Sequence, residues 1–218
     1  MMTKKLQVAV LVENHPYDVI NFQKMLDSFV DCECYVQPID LFVQDEDNKS
    51  KYDTVLYYNM NWDPPASDSP IGKYLEMELG ESSQGIIILH HALLSFQKMD
   101  LYTQVTGVRH RGADGLFKYT QNQRVQSKIV DSSHPITQEV KDFELIDETY
   151  IIGEPEELGN HILVTTDNKT SIKNIAWARK YKKSKVFCYA SGHNNLAYAN
   201  ESFRKILYSG ILWTACNR

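Results

Sequence analysis

The chain has 218 residues, 43% of them hydrophobic and 23% charged, a balance that excludes a disordered or fibrous protein. Its 23 basic and 28 acidic side chains leave a net charge of −5, which argues against nucleic acid as a partner because phosphate binding needs a basic surface. No apolar run approaches the ~20 residues of a transmembrane helix, so no membrane partner is expected.

The length fits one domain over residues 1–218, large enough to fold without a disulfide or metal staple. Met1–Lys5 leads into Leu6–Val12, an apolar run too short for a signal peptide, so a cytoplasmic location is expected. Leu6–Val12 itself reads as a strand covered on both faces. Tyr17–Val30 carries apolar residues at helical spacing. Cys34–Ile39 and Asp53–Tyr58 read as further strands. Ser69 and Pro70 look like an N-cap and first helical residue, opening a helix to about Leu79, with Gly80 as its C-terminal stop. Gly85–Leu89 is a deeply apolar strand.

Beyond it the pattern is less regular. Gln126–Asp131, His161–Thr166, Asn174–Arg179 and Lys185–Ala190 read as strands, Phe143–Ile146 leads into Asp147–Tyr150, and Ser133–Thr137 reads as a turn. A last helix runs from about Ser202 to Ala215. Apolar strands alternating with amphipathic helices predict an α/β fold: a flavodoxin-like, doubly wound, mainly parallel sheet with helices on both faces. In such sheets ligands sit beyond the carboxyl ends of the strands. The four cysteines, Cys32, Cys34, Cys188 and Cys216, form no paired Cys-x-x-Cys motif and read as plain apolar residues. The basic runs Arg109–Arg111 and Lys180–Lys185 read as solvated loops.

Three places could carry chemistry. In Ile88-Leu89-His90-His91-Ala92 a strand runs abruptly into a helical turn, and such an elbow exposes one side chain above the sheet. That side chain is His90, so attack by a Ser or Cys there is excluded, and a histidine can serve as acid, base or metal ligand. In Asp147-Glu148-Thr149-Tyr150, Glu148 could hold a histidine's tautomer or raise its pKa. In Ser191-Gly192-His193-Asn194, Gly192 would let the backbone approach a ligand, with His193 beside it. Phosphate-binding glycine loops, G-x-S-x-G and H-E-x-x-H are absent. No motif requires a cofactor. His15, His90, Glu148 and His193 are the residue types that could share a divalent ion, although their separations give no local ligand signature.

Taken together, these segments resemble the ThuA-like (trehalose utilisation) family of the class I glutamine-amidotransferase-like superfamily. The resemblance runs over nearly the whole chain and is carried by GIIILHHAL (85–93), HPIT (134–137), FELIDETY (143–150), ILVTTD (162–167), IAWARKY (175–181), KVFCYASGHNN (185–195) and FRKILYSGILW (203–213). It implies that His90 stands where glutaminases keep a cysteine, and that His90, Glu148 and His193 share a crevice. A glutaminase is therefore not expected. The chain departs from the family pattern at Thr106-Gly107, at Leu116-Phe117-Lys118-Tyr119, where a histidine near an aromatic is usual, and at Tyr181–Val186. The second of these could alter substrate choice.

The resemblance implies an enzyme of sugar metabolism acting on a small sugar or keto-sugar by acid–base chemistry, with hydrolase, lyase and isomerase reactions all open. His90, Glu148 and His193 are the candidate catalytic residues. His15, Asn59, Tyr150, Trp177 and Asn194 are candidates to bind substrate. The alternative is a non-catalytic sugar-binding or regulatory protein on the same fold. The expected partner is a small carbohydrate, and self-association into a homo-oligomer is left open.

Overall fold

The computed structural model describes residues 4–215 except 113, 114, 116 and 156–158. Leu116, Cys216 and the first three residues, all used in the sequence reading, lie outside the described residues.

β1 (Leu6–Glu13) is wholly buried from Val8 to Leu11, as a consecutive apolar run requires. α1 (Val19–Asp27) is shorter than its apolar spacing predicts because local capping sets its ends. The Asp18 carboxylate accepts a hydrogen bond from the Asn21 amide at 2.9 Å, and Ser28 closes the helix. Phe22, Met25 and Leu26 form its buried face, while Val19 and Ile20 stay exposed. There follow β2 (Cys32–Gln37), α2 (Ile39–Gln44), α3 (Glu46–Lys49) and β3 (Thr54–Asn59). α4 (Pro70–Lys73) is capped by Ser69 and continues as a π-helical turn over Tyr74–Glu78 before Gly80, whose φ of 79° makes the stop. β4 (Gly85–Leu89) leads into a 3-10 turn, His90–Leu94, and then α5 (Asp100–Thr106).

The second half holds β5 (Lys118–Ile129), β6 (Phe143–Ile151), β7 (Asn160–Thr165), β8 (Asn174–Tyr181), β9 (Ser184–Tyr189), α6 (Asn195–Ala199) and α7 (Glu201–Ala215). The strands form one sheet in the order β2-β1-β3-β4-β9-β8-β7-β5-β6. It is parallel from β2 to β9 and antiparallel from there to β6. Helices cover both faces of the parallel part. Phe187 and Cys188 are adjacent on β9 and so point to opposite sides. Phe187 lies against Gly210 of α7, where an added Cβ would come within 2.4 Å of its ring. The Cys188 thiol lies 3.7 Å from the Thr106 carbonyl at the end of α5. Cys188 is fully buried, and burial pushes its thiol pKa up.

The long hairpin of β5 and β6 departs from this layered plan. β5 pairs with β7 only at Lys128 and Ile129, and the remainder pairs with β6 alone. A register shift between Thr120 and Gln123, with Asn122 at φ 54°, marks a bulge that bends the ribbon. The ribbon thus forms an arm whose far end reaches the carboxyl end of the parallel strands. The sequence reading finds only Gln126–Ile129 of β5, because Lys118–Arg124 is polar apart from Tyr119 and gives no apolar alternation to read.

Candidate functional site

His90 is the first residue past β4 and adopts φ 51°, a left-handed conformation that is uncommon for a residue with a Cβ. The turn lifts the imidazole over the sheet edge while keeping it fully buried. Its Nδ1 lies 2.7 Å from the Ala190 carbonyl. A carbonyl only accepts, so Nδ1 carries a proton and Nε2 faces the site. In the neutral ring Nε2 accepts the hydrogen bond of the Tyr150 hydroxyl at 2.7 Å, and the two rings stack with centroids 4.7 Å apart.

Glu148 and Tyr150 are two residues apart on β6 and share a side of it. The Glu148 carboxylate stands between two imidazoles. Its Oε1 is 3.6 Å from His90 Nε2 and 3.5 Å from His193 Nδ1. These contacts are longer than full hydrogen bonds. Burial raises the Glu148 pKa, but the contact with His90 and the positive charge that His90 and His193 carry when protonated in acid outweigh it and bring it to about 2. Burial, with the neighbouring His90, lowers the pKa of His193. At neutral pH the site therefore pairs an ionised carboxylate with a neutral His193 that can accept a proton.

The sequence reading passes over Asp147, which holds this arrangement in place. It is buried, and its carboxylate accepts three backbone N–H groups: Gly192 at 2.7 Å, His193 at 2.9 Å and Glu148 at 2.9 Å. Burial raises its pKa, and these amides and the nearby His90 oppose that. Gly192, at φ 121°, sits so close to the Phe203 ring that a Cβ would come within 3.0 Å of it. The Tyr58 hydroxyl donates to the Gly192 carbonyl at 2.7 Å. Arm and β9 loop are thus fastened together beside the two histidines.

The cleft over these groups has a volume of about 230 Å³. The parallel part supplies His15, Met60, Leu94 and His193 to its lining, and the arm supplies Phe117, Tyr119, Gln121, Glu148 and Tyr150. His15 stacks on His91 at 4.0 Å and meets His193 edge-on at 5.7 Å. His91 is fully buried and donates from Nε2 to the Tyr58 carbonyl at 2.8 Å. Burial and the neighbouring histidines lower the pKa of both His15 and His91.

His15, His90, Glu148, Tyr150 and His193 therefore meet at one place. The other three candidates do not line the cleft. Trp177 is fully buried and its indole N–H donates to the Thr106 carbonyl at 2.8 Å, so it is a core residue beneath α5. Asn59 is fully buried at the end of β3, donating to Asn61 Oδ1 at 2.6 Å. Asn194 caps α6, its Oδ1 accepting from the Leu196 amide at 2.9 Å. The sequence reading marks the segment holding Phe117 and Tyr119 as one that could alter substrate choice, but names neither as a contact and passes over Gln121. Their i, i+2, i+4 spacing along the arm is the signal that could join them.

Among the described residues, His90, Glu148 and His193 form the group whose ligand atoms lie close enough to share a metal ion, within 4.8 Å of one another. Two imidazoles and a carboxylate suit a divalent transition metal. His15 does not belong to that group, and an ion would have to displace the Tyr150 hydroxyl from His90 Nε2. A larger cavity, about 550 Å³, opens at the opposite ends of the strands, between His134, His161, Arg179, Lys180 and Trp213. Its His161 is half exposed and already paired with Asp131 at 2.9 Å. Size therefore points one way and chemistry the other. The smaller cleft holds the buried, mutually perturbed groups that mark functional sites.

Residues 39–214 match the family model ThuA, described as trehalose utilisation. No curated protein matches the sequence. Among solved structures, a ThuA-like protein of Parabacteroides merdae superposes with a TM-score of 0.76 at 15% identity, covering 99% of this chain and 91% of that one. A cytoplasmic protein of Salmonella typhimurium gives 0.63 at 11% identity, over 96% and 99%. A GMP synthase component from Thermoplasma acidophilum gives 0.56 at 12% identity, over 97% and 94%. At such identities the likeness is one of fold, the glutamine-amidotransferase-like α/β architecture. Among the described residues, no helix is long and apolar enough to cross a membrane.

Proposed function

The chain belongs to the ThuA family, and from that membership and the geometry of its cleft we propose that it is a cytoplasmic enzyme acting on a small sugar or keto-sugar by acid–base chemistry. One observation carries the reading: the Glu148 carboxylate lies between the imidazoles of His90 and His193 at the base of a cleft. His193, neutral at neutral pH, takes a proton from the substrate as general base. His90, its Nδ1 proton engaged by the Ala190 carbonyl, acts in its protonated form as the acid, giving its Nε2 proton to the substrate directly or through the Tyr150 hydroxyl as His193 takes one up, so that one imidazole of the pair is charged before and after. Glu148 stabilises whichever imidazole becomes charged. Hydrolysis of a glycosidic bond, elimination of water from a keto-sugar and isomerisation of a sugar carbonyl can all use such a pair.

A second reading rests on the close approach of the three ligand atoms. In it a divalent ion on His90, Glu148 and His193 would polarise a substrate oxygen, while Tyr150 would orient the substrate.

The test begins with a thermal-shift screen of neutral sugars and keto-sugars, with and without zinc or manganese, followed by NMR detection of turnover. The expected result is turnover by the native protein. Glu148→Gln and His90→Ala should lower kcat by about 10²–10⁴-fold while unfolding stays cooperative. A sugar that binds but is never converted, or full activity in both variants, would overturn the catalytic reading and favour a binding protein.

A further inference from the structure

The wall of the cleft built by the arm continues outward as a strip of aromatic rings. Phe117 lines the cleft. Tyr119, also a lining residue and 59% exposed, lies 6.0 Å from it with the rings nearly parallel at 24°. Trp62, 38% exposed, lies 5.8 Å from Phe117 on its other contact. Tyr150 continues the series inward, 5.8 Å from Phe117 and 4.7 Å from His90. A row of rings thus runs from the acid–base groups to solvent. Large aromatic side chains left in water are costly in the free protein and mark binding surfaces.

Two further observations define what the row would hold. The cleft, at about 230 Å³, is smaller than the ~300–1,000 Å³ of pockets that take drug-sized molecules, which leaves room for one sugar ring and not two. Its described lining contains no lysine or arginine. Glu148 is the charged group it presents, and a phosphate or carboxylate on the substrate would meet that charge without a cation to offset it.

We infer that Trp62, Phe117 and Tyr119 form a second sugar subsite, so that the cleft takes the terminal ring of an uncharged glycoside and the aromatic strip takes the next ring. This rests on the cleft being a sugar site, and it adds the size and charge of the substrate and the residues that select it. The apolar faces of a pyranose would cover the Phe117 and Trp62 rings, while the hydroxyl edges stay in water.

Calorimetric titration with defined pairs tests it: trehalose against methyl α-glucoside, lactose against methyl β-galactoside, and glucose 6-phosphate as the charged probe. At least one disaccharide should bind about tenfold more tightly than the methyl glycoside of its terminal ring, the order expected for added aromatic contact. Trp62→Ala, at a position outside the cleft lining, should abolish that advantage and leave the methyl glycoside unaffected, whereas Tyr119→Ala, which also removes part of the cleft wall, should weaken the disaccharide more than the methyl glycoside. Equal binding within both pairs would overturn the second subsite and leave the cleft reading standing. Tighter binding of glucose 6-phosphate than of methyl α-glucoside would overturn the uncharged class. No binding by any of the five would overturn the sugar reading together with this inference.

Discussion

The parallel part of the sheet and the β5–β6 arm are built on opposite terms, and each gives the site something the other cannot. In the parallel part, β1, β3, β4 and β9 are buried on consecutive residues, and β9 is held between α7 and α5. It supplies His90 from a strained elbow that only a rigid surround can maintain. The arm pairs with the main sheet at two positions of β7, is bent by a bulge and is mostly polar along β5. It supplies the carboxylate, the tyrosine hydroxyl and the aromatic wall. The rigid part holds the histidines of the cleft, and a ribbon paired with the sheet at few positions carries its carboxylate and aromatic wall.

Four changes put this contrast to the test. Phe187→Ala removes a fully buried ring between β9 and α7. It should cost ~3–5 kcal/mol, read as a lower midpoint in denaturant titration. A cost below about 1 kcal/mol would mean the parallel part is not the rigid partner.

Asp147→Asn tests the fastening between the two regions. The carboxamide can no longer accept all three amides with a charged oxygen pair, and loss of charge-assisted bonds should cost ~1.5–3 kcal/mol. Amide exchange should then speed up at Gly192 and His193 before it does in β4. Unchanged exchange there would show that Asp147 does not hold the loop.

Acid is the third lever. Burial lowers the folded-state pKa of His15, His91 and His193, so below the ordinary histidine value near 6.5 the unfolded chain binds protons that the folded one refuses. Stability should fall as pH drops through that range. Glu148 adds to the loss between its ordinary value near 4.5 and its folded value of about 2, where the unfolded chain is again the better proton acceptor. Asp147, raised by burial, works in the opposite direction. Melting curves from about pH 8 to 3 should show the first decline near 6.5, and His91→Asn should make that decline shallower. A flat profile between about pH 7 and 5 would contradict the buried neutral histidines.

The smallest effect on stability belongs to the rim of the arm. Tyr119→Ala, at a side chain more than half exposed, should leave the unfolding midpoint within the equivalent of about 0.5 kcal/mol. A larger loss would make the arm a structural element and weaken the contrast.

Much of this protein was legible along the chain. Wherever neighbours in sequence carried the physics, as in the consecutive apolar residues of Gly85–Leu89, the Ser69-Pro70 helix start and the glycine stop at Gly80, the local reading matches the elements found. The elbow at His90 was legible for the same reason, since an apolar strand ending on a polar side chain is a local event. Tertiary structure alone decided the rest. Nothing in the spacing separates Trp177, spent on the Thr106 carbonyl, from a ring that faces a ligand, because a strand's side chain is assigned by what packs over it. Nor could the sequence show that Asp147 would gather amides from two distant segments, or that Phe117, Tyr119 and Glu148 would close one wall. Those meetings depend on how the bulged arm bends back over the sheet, and such long-range contacts are set by the packing of the whole chain and not by any stretch of it.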